Sequence, residues 1–253
     1  MTTHRTSRTP QSRAEVARRV RDSLRRDIRS ARYPDGLLPS ESTLMASEHA
    51  SRTAVRMALD LLRTEGLVKR VQGVGTIVTA DRQRPVSLGP NRGVAGPRRD
   101  RDDVSHEVLS VSAEVASPSV AAQLEIDPRD RVVFIERMTR QYGRAVSLAS
   151  IWLPFVLAEP ILDGAVDLPD IGFFEVIELG LGLEIAGSEH SVEATAADEA
   201  VARVLAVPTG TPLLLLGTLI RVTGGRPAAL AYSRGRADGV RLEFQTTRPP
   251  SNP

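Results

Sequence analysis

The chain has 253 residues, 41% hydrophobic and 25% charged, a length and balance that suit one large folded domain or two smaller ones. No apolar run approaches the roughly 18 to 20 residues that cross a bilayer, and the basic start MTTHRTSRTPQS leads into no apolar signal core. Cysteine is absent, which excludes disulfides and thiolate chemistry and fits the cytoplasm.

The net charge of +2 hides an asymmetry. Residues 1–82 carry 16 basic and 9 acidic side chains, and residues 104–253 carry 12 basic and 19 acidic. A basic head on an acidic body is the pattern of a nucleic-acid reader joined to a second module. Lys69 is the only lysine, so the positive charge is almost entirely arginine.

Residues 1–12 are polar and without periodicity, and are expected to be disordered. From Ala14 to about Ala31, Val16, Val20, Leu24 and Ile28 recur every fourth residue, the signature of an amphipathic helix. YPDG at 33–36 ends it. A second, short helix follows Pro39, with Ser40 as N-cap and Glu41 in the first turn, where the helix dipole favours an anion. A third starts at the N-cap Ser51 and runs to Glu65, with Gly66 just past its end. LVKR and GTIVT then flank the turn VQGVG as a β-hairpin.

On the third helix Val55, Ala58, Leu59 and Leu62 share one arc of about 100°. Arg52, Arg56 and Arg63 gather on the opposite side, flanked by Thr53 and Asp60. By itself that stripe is an ordinary solvated face. Three helices with a tight connection, EHAS, followed by a hairpin make a winged helix-turn-helix, which changes the reading. In that geometry the third helix enters the DNA major groove with its first residues at base edges. Arginine matches guanine O6 and N7, and wing glycines allow close approach to the sugar-phosphate.

Residues 80–104 are rich in Pro, Gly, Arg and Asp and are expected to form a flexible linker. Six strand-like runs follow, beginning EVLSVSAEV, RVVFIERMTRQY, AVSLASIWL, IAGSEHSVEAT, PLLLLGTLIRV and PAALAYSRGRA. Helical stretches at 118–124, 155–162, 172–180 and 198–205 lie between them, and QYGR and TGGRP are hairpin turns. Antiparallel strands with interspersed helices define an α+β domain.

The stretch LPSESTL, then SRTAVRMALDLLRTEGLVKRVQGVGTIV, resembles the DNA-binding domain of GntR-type bacterial transcription regulators. Two positions depart from that pattern. Ser42 stands where the family usually has a DNA-contacting arginine, and His49 replaces the glycine of the turn, which implies a slightly different turn. The C-terminal half resembles the UTRA effector-binding domain of the HutC branch, similar in fold to chorismate lyase.

The resemblance implies an α+β chain in five parts. These are a disordered N-terminus (1–12), a winged helix-turn-helix (13–79), a linker (80–104), an effector-binding and dimerisation domain (105–247) and a tail (248–253). It implies DNA contacts from Ser40, Ser51, Arg52, Thr53, Arg56, Gln72, Gly73 and Gly75, and effector contacts from Arg137, Ser150, Glu193, Tyr232 and Arg234. The implied partners are a double-stranded palindromic operator, a second copy of the chain and a small-molecule effector, with no membrane and no cofactor. Thr139, Gly172-Phe173-Phe174, Ala237 and Asp238 replace residues that hold phosphate or sugar in the branch, which favours a less charged or more apolar effector.

Blander readings stand beside these: Arg137 and Glu136 paired on one sheet face, Glu193 a solvated strand residue, Tyr232 a core tyrosine. The four histidines show no metal-ligand spacing, and no nucleophile–base pair is visible. The expectation is an effector-responsive repressor that is not an enzyme. A DNA-binding protein without ligand response, and a lyase-like activity in the C-terminal half, are the alternatives.

Overall fold

The computed structural model describes residues 12–79, 86–89, 93–95, 104–164 and 172–242. It divides into two compact units, Met1–Arg84 and Pro85–Pro253. The expected disordered start lies outside the described residues except for Ser12, and the expected tail lies outside them entirely. Ser12 proves to be part of the first helix start, because its hydroxyl accepts the Glu15 N–H at 3.2 Å.

In the first unit, α1 (Arg13–Arg29), α2 (Glu41–Ser47) and α3 (Arg52–Thr64) precede a hairpin of β1 (Val68–Val71) and β2 (Gly75–Val78). Of the fourfold spacing read from the sequence, Val20, Leu24 and Ile28 form the buried stripe of α1 together with Ala17, while Val16 packs at its edge, partly buried. It packs with Leu44 of α2 and with Val55, Ala58 and Leu62 of α3, and Val68 and Val78 close the core from the hairpin. Glu65, the C-cap of α3, reaches across to α1 and accepts the Arg25 Nε–H at 3.0 Å. The chain before α2 also pairs with the hairpin, through a Leu37–Ile77 bridge and a Leu38 N–H donated to the Thr76 carbonyl at 2.9 Å.

His49 lies in the connection between α2 and α3 with φ of 49°, in the left-handed region. The histidine adopts the backbone conformation that a glycine would supply freely, and accepts the steric cost.

The second unit is built on a six-stranded, wholly antiparallel sheet. Its strands are β5 (Val104–Val115), β6 (Arg131–Gln141), β7 (Arg144–Pro154), β8 (Ile185–Ala196), β9 (Pro212–Val222) and β10 (Pro227–Arg236). Across the sheet the order is β5-β6-β7-β10-β9-β8. Tyr142 and Gly143, both at positive φ, turn β6 into β7, and Gly224 and Gly225 do the same between β9 and β10. Such turns match the right-handed twist of the paired strands.

Helices cover the two faces differently. On one face α5 (Phe155–Leu162), α6 (Phe173–Glu175) and the π-turn that continues it (Val176–Gly180) pack on Val133, Ile135, Ile151, Leu153, Ile220 and Ala231. On the other, α4 (Pro118–Leu124) packs on Val132 and Leu230 at one end. There α7 (Glu199–Leu205) packs on Met138, Leu148 and Leu213 at the opposite end. The middle of that second face carries no helix among the described residues.

The expected linker is corrected in part. Within it, β3 (Val86–Gly89) and β4 (Gly93–Ala95) pair antiparallel, and β3 also runs parallel to β11 (Val240–Leu242). These strands belong to the second unit. The parallel partner is more than a hundred residues away in sequence, so no local pattern announces it. Val104, the last residue of the expected linker, opens β5, and the rest of the linker lies outside the described residues.

Replacing His49 with glycine removes roughly 1–2 kcal/mol of left-handed strain, against roughly 0.5–1 kcal/mol of added chain entropy. His49→Gly is expected to slow hydrogen exchange of the core amides of α1 and α3 by about twofold.

Candidate functional site

The apolar stripe of α3 faces α1, so its polar stripe faces outward. Ser51 caps the helix by accepting the Ala54 N–H at 3.3 Å. This leaves the N–H groups of Arg52 and Thr53 at an exposed helix start, where backbone dipoles favour an anion. The Arg52 and Thr53 side chains are exposed, and Arg52 enters no ion pair among the described residues. Arg56, one turn on, is also exposed.

Ser40 caps α2 in the same way, accepting from the Thr43 N–H at 3.2 Å. Its hydroxyl also bonds those of Ser42 and Thr43 at 2.8 and 2.9 Å. In the wing, Gln72, Gly73 and Val74 form the tip, with the Val74 N–H donated to the Val71 carbonyl at 3.2 Å. Gly73 and Gly75 have φ of 77° and 125°, so the backbone itself requires glycine there.

The structure adds two residues to the site: Glu41, read from the sequence only as a first-turn acid, and Arg70, which the sequence did not single out. Glu41 accepts the Arg56 Nε–H at 2.9 Å through Oε2, and its Oε1 lies 3.7 Å from Nη1 of Arg70 on β1. An open groove of about 240 Å³ runs between α3 and the hairpin, lined by Glu41, Arg56, Asp60, Arg63, Arg70 and Thr76. Strand alternation was the available signal for Arg70. It lies two residues from buried Val68, and so shares the face that β1 turns toward α3.

In the second unit the pleat separates the proposed effector residues. Cross-strand partners share a face, and Ser150 pairs with Glu136 on one side and Tyr232 on the other. Arg234 lies two residues from Tyr232, and its Nη1 donates to Ser150 Oγ at 3.4 Å. Leu215 pairs with both Arg234 and Glu193. Ser150, Glu193, Tyr232 and Arg234 therefore share the face that carries α4 and α7.

Arg137 does not join them. It pairs with Ala149, which packs under α5 and α6, and it is 5% exposed. Residues adjacent on a strand point to opposite faces, so Glu136 and Arg137 do not share one. On the Arg137 face the other buried polar side chains among the described residues are Ser147, Thr218 and, at the end of β6, Gln141, and Thr218 bonds His190 Nδ1 at 3.1 Å.

The open face has an aromatic centre. Trp152 stands between Phe134 and Tyr232, with ring centroids 5.3 and 6.1 Å away, and donates its indole N–H to Glu114 at 3.1 Å. Tyr232 accepts from Gln123 of α4 at 2.8 Å. At the rim, hydrogen bonds to Glu189 and then Glu125 push the Arg221 guanidinium above its ordinary pKa. Among the described residues no group of three or more metal-ligating side chains occurs.

Residues 16–78 match the bacterial regulatory proteins of the gntR family, and residues 100–241 match the UTRA domain. The probable transcriptional regulator PhnF of Escherichia coli is 28% identical, over 97% of this chain and 99% of that protein. The histidine utilization repressor of Pseudomonas aeruginosa is also 28% identical, over 89% and 91%. The crystal structure of PhnF from Mycobacterium smegmatis has the same fold, with a TM-score of 0.62 at 19% identity over 90% of this chain and 99% of that one. With an outward arginine helix, a glycine-turned wing and a six-stranded sheet domain in their matching places, the chain belongs to the GntR family, HutC branch, and is a DNA-binding transcriptional regulator with a UTRA domain rather than an enzyme.

Proposed function

We propose that the chain is a cytoplasmic repressor that binds a palindromic operator as a homodimer and answers to a small effector in its C-terminal unit. The observation that carries the DNA side is the exposed start of α3, where Arg52 has no competing carboxylate among the described residues. Arg52 and Thr53 address base edges in the major groove, with Arg56 one turn deeper. The cap Ser51 uses its oxygen as an acceptor, which leaves its hydroxyl proton for phosphate, and Ser40, bonded to Ser42 and Thr43, adds a cluster of hydroxyls at the start of α2. Gln72, Gly73 and Gly75 bring the wing to the sugar-phosphate.

The two sheet faces take different roles. Polar side chains buried in an otherwise apolar face favour Arg137, with Ser147 and Thr218, as the floor of the effector site. The start of α6 supports an effector of low negative charge, because Glu175 itself accepts the Gly172 N–H at 2.7 Å. Ser150, Glu193, Tyr232 and Arg234 serve the dimer instead. Their face presents half-buried Phe134, Trp152 and Tyr232, and neither Glu193 nor Arg234 has an ion-pair partner among the described residues. In a two-fold interface such charges are complementary: Arg234 meets Glu193 of the partner subunit.

The effector acts by favouring one arrangement of the C-terminal dimer, and so a subset of the separations open to the two winged domains. To matter, it must bind the two arrangements with different affinity.

Arg52→Ala is expected to cost roughly 1–3 kcal/mol on a duplex selected by the wild-type protein, and to relax one base pair per half-site. Competition binding at fixed salt checks this, since an equal loss on scrambled DNA would reduce Arg52 to a phosphate contact. Glu193→Arg and Arg234→Glu should each weaken self-association by about tenfold or more, and the double exchange should restore most of it. Sedimentation equilibrium gives the answer, and two singles that remain fully dimeric would move the interface elsewhere.

Residues 1–82 alone are expected to bind the selected duplex weakly, and the full chain far better through bivalency. A metabolite that raises the melting temperature of the full chain should shift its DNA affinity by about 1–3 kcal/mol, and lose both effects in Arg137→Met. Equal DNA binding by the isolated head would rule out the dimeric mechanism.

A further inference from the structure

A carboxylate in the middle of a DNA-binding surface is electrostatically costly, because it repels the phosphates that the surrounding arginines attract. Glu41 is such a group. It lies in the first turn of α2, with its side chain 25% exposed, beside the outward face of α3. Its two oxygens serve different arginines: Oε2 holds Arg56 Nε at 2.9 Å, and Oε1 lies 3.7 Å from Arg70 Nη1. The arginine side chains remain 58% and 71% exposed, so the pairing orients them without burying them.

We propose that Glu41 is a positioning residue that sets the sequence selectivity of DNA binding by holding Arg56 through its Nε. A guanidinium has five N–H donors in a rigid fork. With Nε engaged, the four donors on the two terminal nitrogens stay available, and two of them suffice for a bidentate contact to guanine O6 and N7. The fork is then aimed before DNA arrives, and less side-chain freedom is lost on docking. Arg70, held more loosely and on the hairpin, is the phosphate contact across the groove from α3.

The same charge also works against indiscriminate binding. On random sequence Arg56 finds no matched base, while Glu41 still faces phosphate. On the right sequence the aimed contact offsets that repulsion. Glu41 therefore favours the specific complex and disfavours the non-specific one. A cap or a packing residue would not have this signature, because its loss weakens both complexes together.

The test uses the full chain and two duplexes of equal length, one selected from a random pool by the wild-type protein and one scrambled. Glu41→Gln keeps the shape and an acceptor oxygen but removes the charge. It is expected to bind the scrambled duplex about twofold to threefold more tightly and the selected duplex more weakly, so that the ratio falls about tenfold. In an Arg56→Ala background, Glu41→Gln should lower the ratio no further, because Glu41 acts through Arg56. Arg70→Ala should weaken both duplexes alike and reduce the dependence on salt by about one phosphate contact.

A parallel loss on both duplexes for Glu41→Gln would make Glu41 structural. A parallel gain would make it only a local charge, and either result overturns the proposal. A fall in selectivity for Arg56→Ala with none for Glu41→Gln would also overturn it, while leaving base reading by α3 intact.

Discussion

Val55, Ala58 and Leu62 must leave water together, and on a helix they can do so only by pressing one stripe of α3 against α1. Everything at the DNA end of the protein depends on that packing. It fixes which way Arg52, Thr53 and Arg56 point, because a helix cannot bury one side without presenting the other. It also places Glu65 at the α3 terminus within reach of Arg25, so an ion pair between helices reinforces what burial has set. The hairpin closes the same core through Val68 and Val78, which brings Arg70 to the groove beside Glu41. The arginine-bearing helix and the glycine-turned wing thus share one hydrophobic cluster.

In the C-terminal unit the corresponding constraint is the pleat. A sheet with helices on both faces needs apolar side chains in both directions, and β6 supplies them: Val132 and Phe134 on one face, Val133 and Ile135 on the other. Polar residues inserted into such a strand are assigned to a face by parity alone. Arg137 falls under α5 and α6, while Glu136, Ser150 and Tyr232 line up across four adjacent strands with Gly217. The difference between a face with a buried arginine and a face with an aromatic centre follows from that parity, together with helices that cover one face at its centre and the other only at its ends.

Arginine is used in three ways here, and the differences are environmental. Arg236 is buried, donates to the Leu205 carbonyl at 2.9 Å to close the end of α7, and pairs with Asp238 at 2.9 Å. Arg56 is exposed but held at one nitrogen by Glu41. Arg52 is exposed and enters no ion pair among the described residues. The first stabilises a fold, the second is aimed, and the third is free to adapt. Asp238, which the resemblance marked as a lost ligand position, has become a structural clamp between Arg236 and Arg144.

Much of this was legible in the chain itself. Period-four spacing gave α1, the serines at 40 and 51 marked the starts of α2 and α3, and six apolar runs with glycine turns gave the sheet strands, because these signals are local. The face of α3 was legible for the same reason: helical geometry converts sequence positions into directions without help from elsewhere. What the sequence could not supply was anything that depends on distant segments meeting. The strand β3 inside a Pro- and Gly-rich stretch exists because β11 lies beside it. The Glu41–Arg56–Arg70 grouping joins α2, α3 and β1. The separation of Arg137 from Ser150, Glu193, Tyr232 and Arg234 required the register of five strands. Periodicity can say that a side chain leaves one face of its own element, but only tertiary packing decides what that face meets.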